Sequence, residues 1–191
     1  PLPAGWMLDR WSFAWPFVIA GVVKAVYDLL LLAAFHDVPA PEDCDPRPLR
    51  IPGEESIMSR IDLRLASAKA WEDLIGHPAA GGRSALWARI PDLLDPSAAA
   101  LAILGDYVPF GIGQALGAFA GGNSLDNTLR VVRIVPTEWV LLDIQVDGIA
   151  NGFGHGTVHL YAQDGTLMAT ASQSTIVRFW AGERPGTTAQ D

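Results

Sequence analysis

The stretch LMATASQSTIVRF, residues 167–179, has the alternating pattern of a β-strand. Taking every second residue gives one face that is small and mostly apolar: Leu167, Ala169, Ala171, Gln173, Thr175, Val177 and Phe179. Successive strand side chains point to opposite faces, so whatever buries Ala171 and Val177 also buries Gln173. A buried amide without hydrogen-bond partners is costly. The sequence therefore predicts a buried strand in which Gln173 has a polar partner.

The sequence before this strand contains further strands and one apolar helix. Alternation predicts strands at 57–65, 84–90, 124–134, 138–146 and 156–162. The pair Asp164-Gly165 predicts a hairpin turn before the last strand. Asp95 is predicted to cap an Ala-rich helix that ends before Pro109. Two strands, a helix and four strands form an α+β fold, an antiparallel sheet wrapped around one helix.

The N-terminal part of the chain has a different composition. Residues 1–36 are predicted to form a helical N-terminal segment, and residues 37–53, rich in proline and acids, a linker. The apolar run at 13–35 is long enough to span a membrane. Lys24 and Asp28 lie near its centre, four residues apart, so they can pair on one helix face. This favours a helix buried against protein, without stable membrane insertion.

Composition excludes several classes of function. The net charge of −8 and the absence of a cluster of Lys and Arg argue against a nucleic-acid partner. A single cysteine, Cys44, excludes an intrachain disulfide and any metal site with several cysteines. It fits a reducing compartment, and no signal-peptide pattern is recognised, so a cytoplasmic location is expected.

Several motifs occur in an order that is typical of one known family. LGDYVPFGIG contains Asp106, and NSLDNTLRVVRIVPTEWVLLDI contains Ser124 and Asp126. HLYAQDGTLMATASQSTIVRF contains Gln173 and Arg178. Together, over about residues 55–180, they resemble the C-terminal half of the acyl-CoA thioesterase II family, the TesB-like double-hotdog enzymes. The resemblance implies a hotdog domain at 54–182, followed by a flexible tail at 183–191. Residues 1–36 would then be the remnant of a first hotdog, making an incomplete double hotdog, or a different helical cap.

The same resemblance implies a catalytic set. In that family an Asp, a Ser or Thr and a Gln hold the hydrolytic water, and these become Asp106, Ser124 and Gln173. The apolar neighbours of Asp106 predict a desolvated carboxylate with a raised pKa, basic enough to take a proton from water. Asn127 stands where the family usually has His, and this departure leaves the substrate preference open. Taken singly, each of the three residues also has a structural interpretation, as a cap, a turn hydroxyl or a bridging amide.

Four more residues are expected to bind substrate: Tyr107, Asp126, Gly154 and His155. Gly154 and His155 lie in the sequence GFGHG, which either offers backbone N–H groups to a CoA phosphate or forms a flexible bend. Asp126 either orients Arg130 or forms a plain salt bridge. His155 and His159 share one strand face, but no third ligand lies near them in the sequence. No metal and no cofactor is therefore expected.

The expected activity is hydrolysis of a fatty acyl-CoA thioester, with acyl-CoA as the partner molecule. A single hotdog leaves a sheet edge and an apolar face open, so a homo-oligomer is expected. The alternative is a non-catalytic protein of hotdog fold that binds an acyl group or another hydrophobic ligand, or acts as a partner subunit. An enoyl hydratase is less favoured, because that chemistry ordinarily pairs the Asp with a His shortly after it.

Overall fold

A computed structural model describes residues 17–26, 38–47, 55–92 and 96–180. The chain divides into two compact units, Pro1–Val38 and Pro39–Asp191. In the first unit, helix α1 spans Phe17–Val26, which agrees with the predicted helical character of that segment. The rest of the predicted helix at 13–35 lies outside the described residues, as do the tail at 183–191 and the predicted linker residues 48–53.

The second unit contains a curled antiparallel sheet and three short helices. Its strands are β1 Asp45–Pro46, β2 Asp62–Ser67, β3 Arg83–Arg89, β4 Ala120–Ser124, β5 Thr128–Val131, β6 Val140–Ala150, β7 Phe153–Ala162 and β8 Leu167–Phe179. Its helices are α2 Trp71–Leu74, α3 Ala98–Leu104 and α4 Val108–Leu116. Short 3-10 turns lie at Pro41–Asp43, Ile57–Arg60 and Ala80–Gly82.

The strands join in the order β1-β2-β3-β6-β7-β8-β4, and β5 also pairs with β8. Thus β4 and β5 lie end to end along the same side of β8. The predicted strand at 124–134 is therefore wrong in detail, because residues 125–127 interrupt the pairing. The predicted α+β hotdog architecture is confirmed: a curled antiparallel sheet with α3 and α4 packed against it.

The predicted central helix is two helices with a break between them. Ser97, not Asp95, caps α3: its side chain accepts a hydrogen bond from the N–H of Ala100 at 3.1 Å. Asp95 itself lies outside the described residues. The helix ends at Leu104, before Pro109 as predicted, and α4 then begins at Val108. Pro109 fits in the first turn of α4, where a helix needs no N–H from it.

The core lies between this helix pair and the concave face of the sheet. In β8 the predicted alternation is confirmed, since Ala171, Gln173 and Thr175 are buried; Phe179, at the strand end, is exposed instead. Among the described residues, the stretch Ala98–Leu116 is long and apolar enough to cross a membrane by length and composition. More than half of it is buried inside the protein, as expected for a core helix.

Two predicted boundaries are corrected by the structure. Part of the predicted linker belongs to the sheet unit: β1 pairs with β2, and Cys44 is buried. Proline is tolerated in such a short edge strand because an edge position does not need every N–H. The first predicted strand begins at Asp62 rather than residue 57, since Ile57 is exposed in a 3-10 turn.

Candidate active site

Asp106 lies in the break between α3 and α4. Its N–H donates to the Ile103 carbonyl at 3.3 Å, which ends α3 with a tight turn. Gly105 lets this turn lie close to the sheet, because a Cβ there would come within 3.0 Å of the Ala171 side chain. The break therefore places the Asp106 carboxylate beside β8 and at the N-terminal end of α4, where the helix dipole favours negative charge.

Gln173 reaches the same point from the sheet. It is fully buried in β8, and its cross-strand partner in β7 is Gly156. A Cβ on Gly156 would lie 2.5 Å from the Gln145 carbonyl oxygen and 3.1 Å from a Val108 methyl carbon. The missing side chain thus lets the start of α4 approach the sheet beside Gln173.

Ser124 completes the cluster from the end of β4, where it pairs with Thr175 of β8. The Gln173 amide nitrogen donates to Asp106 Oδ1 and, at 2.6 Å, to Ser124 Oγ. The Ser124 hydroxyl donates to the same Asp106 Oδ1 at 3.1 Å. The three residues predicted to form a catalytic set are therefore in mutual hydrogen-bond contact, although they come from distant parts of the chain.

The hydrogen-bond pattern assigns donors and acceptors within the cluster. Both amide protons of Gln173 and the hydroxyl proton of Ser124 are donated, and Asp106 only accepts, as an ionised carboxylate does. Asp106 Oδ2 takes no hydrogen bond from the described part of the chain. Gln173 Oε1 is buried and also accepts none there. These two oxygens are the acceptors of the cluster that have no partner among the described residues.

The prediction that the Asp106 side chain is buried is wrong. Its side chain is exposed, and so is that of Ser124, whereas Gln173 is buried. The neighbours Leu104 and Tyr107 are buried, but the turn between the helices directs the carboxylate outward. Local apolar sequence therefore does not desolvate this carboxylate.

A cavity of about 480 Å³ adjoins the cluster. Asp106 and Tyr107 line it together with mostly apolar or aromatic groups, among them Met58, Trp71, Leu74, Phe110 and Trp180. A larger cavity of about 630 Å³ lies at α3, near Arg89 and Pro136, and none of the three clustered residues lines it. The smaller cavity is therefore the relevant one for chemistry at Asp106.

Tyr107, predicted to bind substrate, lines this cavity but is largely buried. Its hydroxyl is 3.7 Å from the sulfur of Met58. Burial raises the pKa of Tyr107 to about 12, with the Arg47 charge lowering it and the Asp106 charge raising it. The phenol therefore stays neutral at physiological pH and remains a hydrogen-bond donor.

The raised pKa of Tyr107 predicts a loss of stability in alkali. The folded state holds this proton up to about pH 12, whereas the unfolded chain loses it near pH 10, so stability falls as pH rises through that window. We expect the free energy of unfolding to fall by about 1 kcal/mol between pH 9 and pH 11 from this residue alone. Urea unfolding of the wild type and of Tyr107→Phe measures it. The raised pKa of the Cys44 thiol affects both proteins equally, so its effect cancels in the comparison. If the free energy of unfolding falls equally with pH in the two proteins, the prediction is contradicted.

The other three predicted substrate-binding residues lie on either side of β8, two on β7 and one between β4 and β5. Asp126 Oδ1 accepts from the Ser174 N–H at 2.8 Å, in the interruption between β4 and β5. His155 is exposed on β7, with Nδ1 3.1 Å from the Ser174 hydroxyl. Gly154 packs on Ile112, since a Cβ there would lie 2.5 Å from its Cδ1. None of the three is hydrogen-bonded to the Asp106 cluster among the described residues, and their binding of substrate stays a prediction.

The two histidines that share a face of β7 have different neighbours. His159 stacks on Tyr161, with ring centroids 6.2 Å apart, while His155 contacts Ser174. Within the described ranges, no three His, Cys, Asp or Glu side chains group in a way that could hold a metal ion.

Arg47 is a residue of the cavity that the sequence interpretation missed. Its guanidinium carbon lies 4.9 Å from the ring centroid of Phe110 and 5.8 Å from that of Trp71. Desolvation lowers the pKa of Arg47, and the Tyr107 phenol opposes this. The proline-rich surroundings predicted a linker, so nothing local indicated that this arginine enters a cavity.

Comparison with known proteins identifies the fold and the family. A candidate thioesterase from Novosphingobium aromaticivorans is 34% identical, with a TM-score of 0.61, over 73% of this chain and 52% of that one. A conserved protein of unknown function with a hotdog fold from Alicyclobacillus acidocaldarius is 21% identical, with a TM-score of 0.60, over 76% and 54%. The chain spans about half the length of these two structures. No curated protein is significantly similar in sequence.

The family assignment comes from the sequence profile of the acyl-CoA thioesterase C-terminal domain. This profile matches residues 41–177, which include β1 to β7, most of β8, both core helices and all three clustered residues. The predicted resemblance to acyl-CoA thioesterases is thereby confirmed at the level of the family. The chain belongs to the family of acyl-CoA thioesterase C-terminal domains.

Proposed function

We propose that this protein hydrolyses acyl-CoA thioesters to the free acid and CoA. The observation that carries the proposal is the hydrogen-bonded cluster of Asp106, Ser124 and Gln173 beside an apolar cavity. Membership of the thioesterase family supports a thioester as the substrate. The apolar lining of the cavity supports an acyl chain as the group bound there.

In the proposed reaction, Asp106 is the general base. A water molecule bound to Asp106 Oδ2 loses a proton to that oxygen as its own oxygen attacks the thioester carbonyl carbon. The tetrahedral intermediate then collapses, the carbon–sulfur bond breaks, and the CoA sulfur leaves with a proton returned by Asp106. Positioned acid–base groups of this kind contribute roughly 10²- to 10⁴-fold to the rate.

Ser124 and Gln173 act in this proposal as positioning residues. Both donate to Asp106 Oδ1, which fixes the plane of the carboxylate and leaves Oδ2 for the water. The free acceptor Gln173 Oε1 offers a second hydrogen bond to that water, an interaction that would satisfy a buried polar atom. The positive end of the α4 dipole supports the negative charge that develops on the carbonyl oxygen.

The experiment that tests the function follows thiol release from acyl-CoA substrates of increasing chain length. We expect free CoA to appear with a rate that depends on acyl length, because a cavity of about 480 Å³ holds only part of a long chain. Calorimetric binding of the same compounds is measured in parallel. Binding without release of CoA would overturn the hydrolase proposal and favour the non-catalytic ligand-binding alternative.

We further propose that the hotdog domain pairs with a second hotdog module. The two matched structures are about twice as long as the region they share with this chain. Large apolar side chains are also exposed on the described sheet unit, among them Val132, Phe153 and Phe179. Light scattering measures the assembly, and a strictly monomeric, fully active chain would contradict pairing with a second copy.

A further inference from the structure

Arg47 carries a positive charge into the cavity. The backbone N–H of Arg47 donates to the Leu63 carbonyl at 2.9 Å, which fixes the segment that follows β1 against β2. The guanidinium lies over the ring of Phe110 and over that of Trp71. In the part of the chain that the structure describes, no carboxylate lies within salt-bridge distance of it. A cation removed from water without a partner is expensive, and its pKa is lowered by this desolvation.

The position of this charge relative to the candidate base is informative. Arg47 and Asp106 line the same cavity, and the described residues show no ion pair between them. The lining of the cavity therefore combines the Asp106 carboxylate, the Arg47 guanidinium and apolar side chains such as Met58 and Leu74.

We propose that Arg47 binds a carboxylate carried by the acyl group, so that the protein prefers acyl-CoA thioesters whose acyl chain ends in a carboxyl group. The inference rests on the proposed function and names its substrate class. A guanidinium matches a carboxylate in a two-point hydrogen-bonded pair. Because Arg47 lies over two aromatic rings in a mostly apolar cavity, it suits the end of an acyl chain better than the hydrated phosphates of CoA, which are the other anionic source in the substrate.

Binding is measured in the Asp106→Asn background, so that the ligand is not consumed. Calorimetry compares hexanoyl-CoA with the six-carbon acyl-CoA that carries a terminal carboxyl group. We expect the carboxyl compound to bind roughly tenfold more tightly, since a hydrogen-bonded charge pair contributes on the order of this factor. Arg47→Met keeps the chain length and removes the charge, so we expect it to abolish the difference.

Arg64→Met is the matched control. Arg64 also lies over an aromatic ring, 5.8 Å from the Trp139 centroid, but it does not line the cavity. We expect this variant to keep the preference for the carboxyl compound. Circular dichroism of both arginine variants verifies that the fold is retained.

The outcomes separate this inference from the proposed function. Equal binding of the two compounds, together with hydrolysis by the wild type, overturns the inference and leaves the thioesterase proposal intact. An equal loss of affinity for both compounds in Arg47→Met also overturns it and assigns the arginine to a CoA phosphate. A preference that persists in Arg47→Met overturns it as well. Failure of the Asp106→Asn protein to bind either compound, together with no thiol release by the wild type at any chain length, rejects both proposals.

Discussion

Replacing Asp106 by asparagine is expected to lower kcat/KM for acyl-CoA hydrolysis by roughly a thousandfold, within the range known for a positioned general base. The side-chain oxygen of asparagine can still accept from Gln173 and Ser124, so the geometry of the cluster is retained. The position of Oδ2 is then occupied by an amide nitrogen, which cannot take a proton from water. Steady-state thiol release measures the effect.

Asp92→Asn is the control for this prediction, because Asp92 is exposed and lies 3.8 Å from Arg60, away from the cluster. We expect it to retain full activity. Since Asp106 is itself exposed, the Asp106 variant is expected to change the free energy of unfolding by less than about 1 kcal/mol. A folded Asp106→Asn protein with wild-type activity would reject Asp106 as the base.

The second large effect is expected at Gly156, where an alanine methyl group has no room. Its Cβ would lie 2.5 Å from the Gln145 carbonyl oxygen, a backbone atom that moves only with β6. We expect Gly156→Ala to lower the free energy of unfolding by about 1–3 kcal/mol, as overpacking of a core does. Urea unfolding measures this change.

The same substitution is expected to reduce activity in the folded fraction. The new methyl group also approaches Val108 at the start of α4, and this residue follows the Asp106 turn. Gly148→Ala is the matched control, since a Cβ at Gly148 meets nothing within 4 Å. Equal stability of the two variants would contradict the close approach of helix and sheet at Gly156.

The strands could be predicted where one face is buried and the other is not. In β8 the alternation is long and regular. Because Gln173 lies on its apolar face, the sequence predicted that its amide is buried and hydrogen-bonded. The interruption at residues 125–127 could not be predicted from alternation, because it depends on Asp126 capping the Ser174 N–H from a neighbouring strand. A contact between distant residues leaves no local periodic signal.

The candidate site was only partly accessible from the residues themselves. Asp106 and Ser124 became candidates through the family resemblance, since each alone looks like an ordinary cap or turn residue. The exposure of Asp106 was predicted wrongly because apolar neighbours in sequence do not determine which way a turn side chain points. Arg47 was missed because proline content describes the backbone and says nothing about where an adjacent side chain is inserted.

The two-residue strand β1 has a consequence for how the sheet can grow. The backbone N–H of Arg47 points toward β2 and donates to the Leu63 carbonyl. The backbone N–H groups of successive strand residues point to opposite sides, so the backbone nitrogen of the preceding residue, Pro46, points away from β2. Proline has no N–H to offer there, and an additional strand would find the ladder of donors broken. This border of the sheet therefore offers a weaker template for edge-to-edge pairing than a strand with a complete row of donors would.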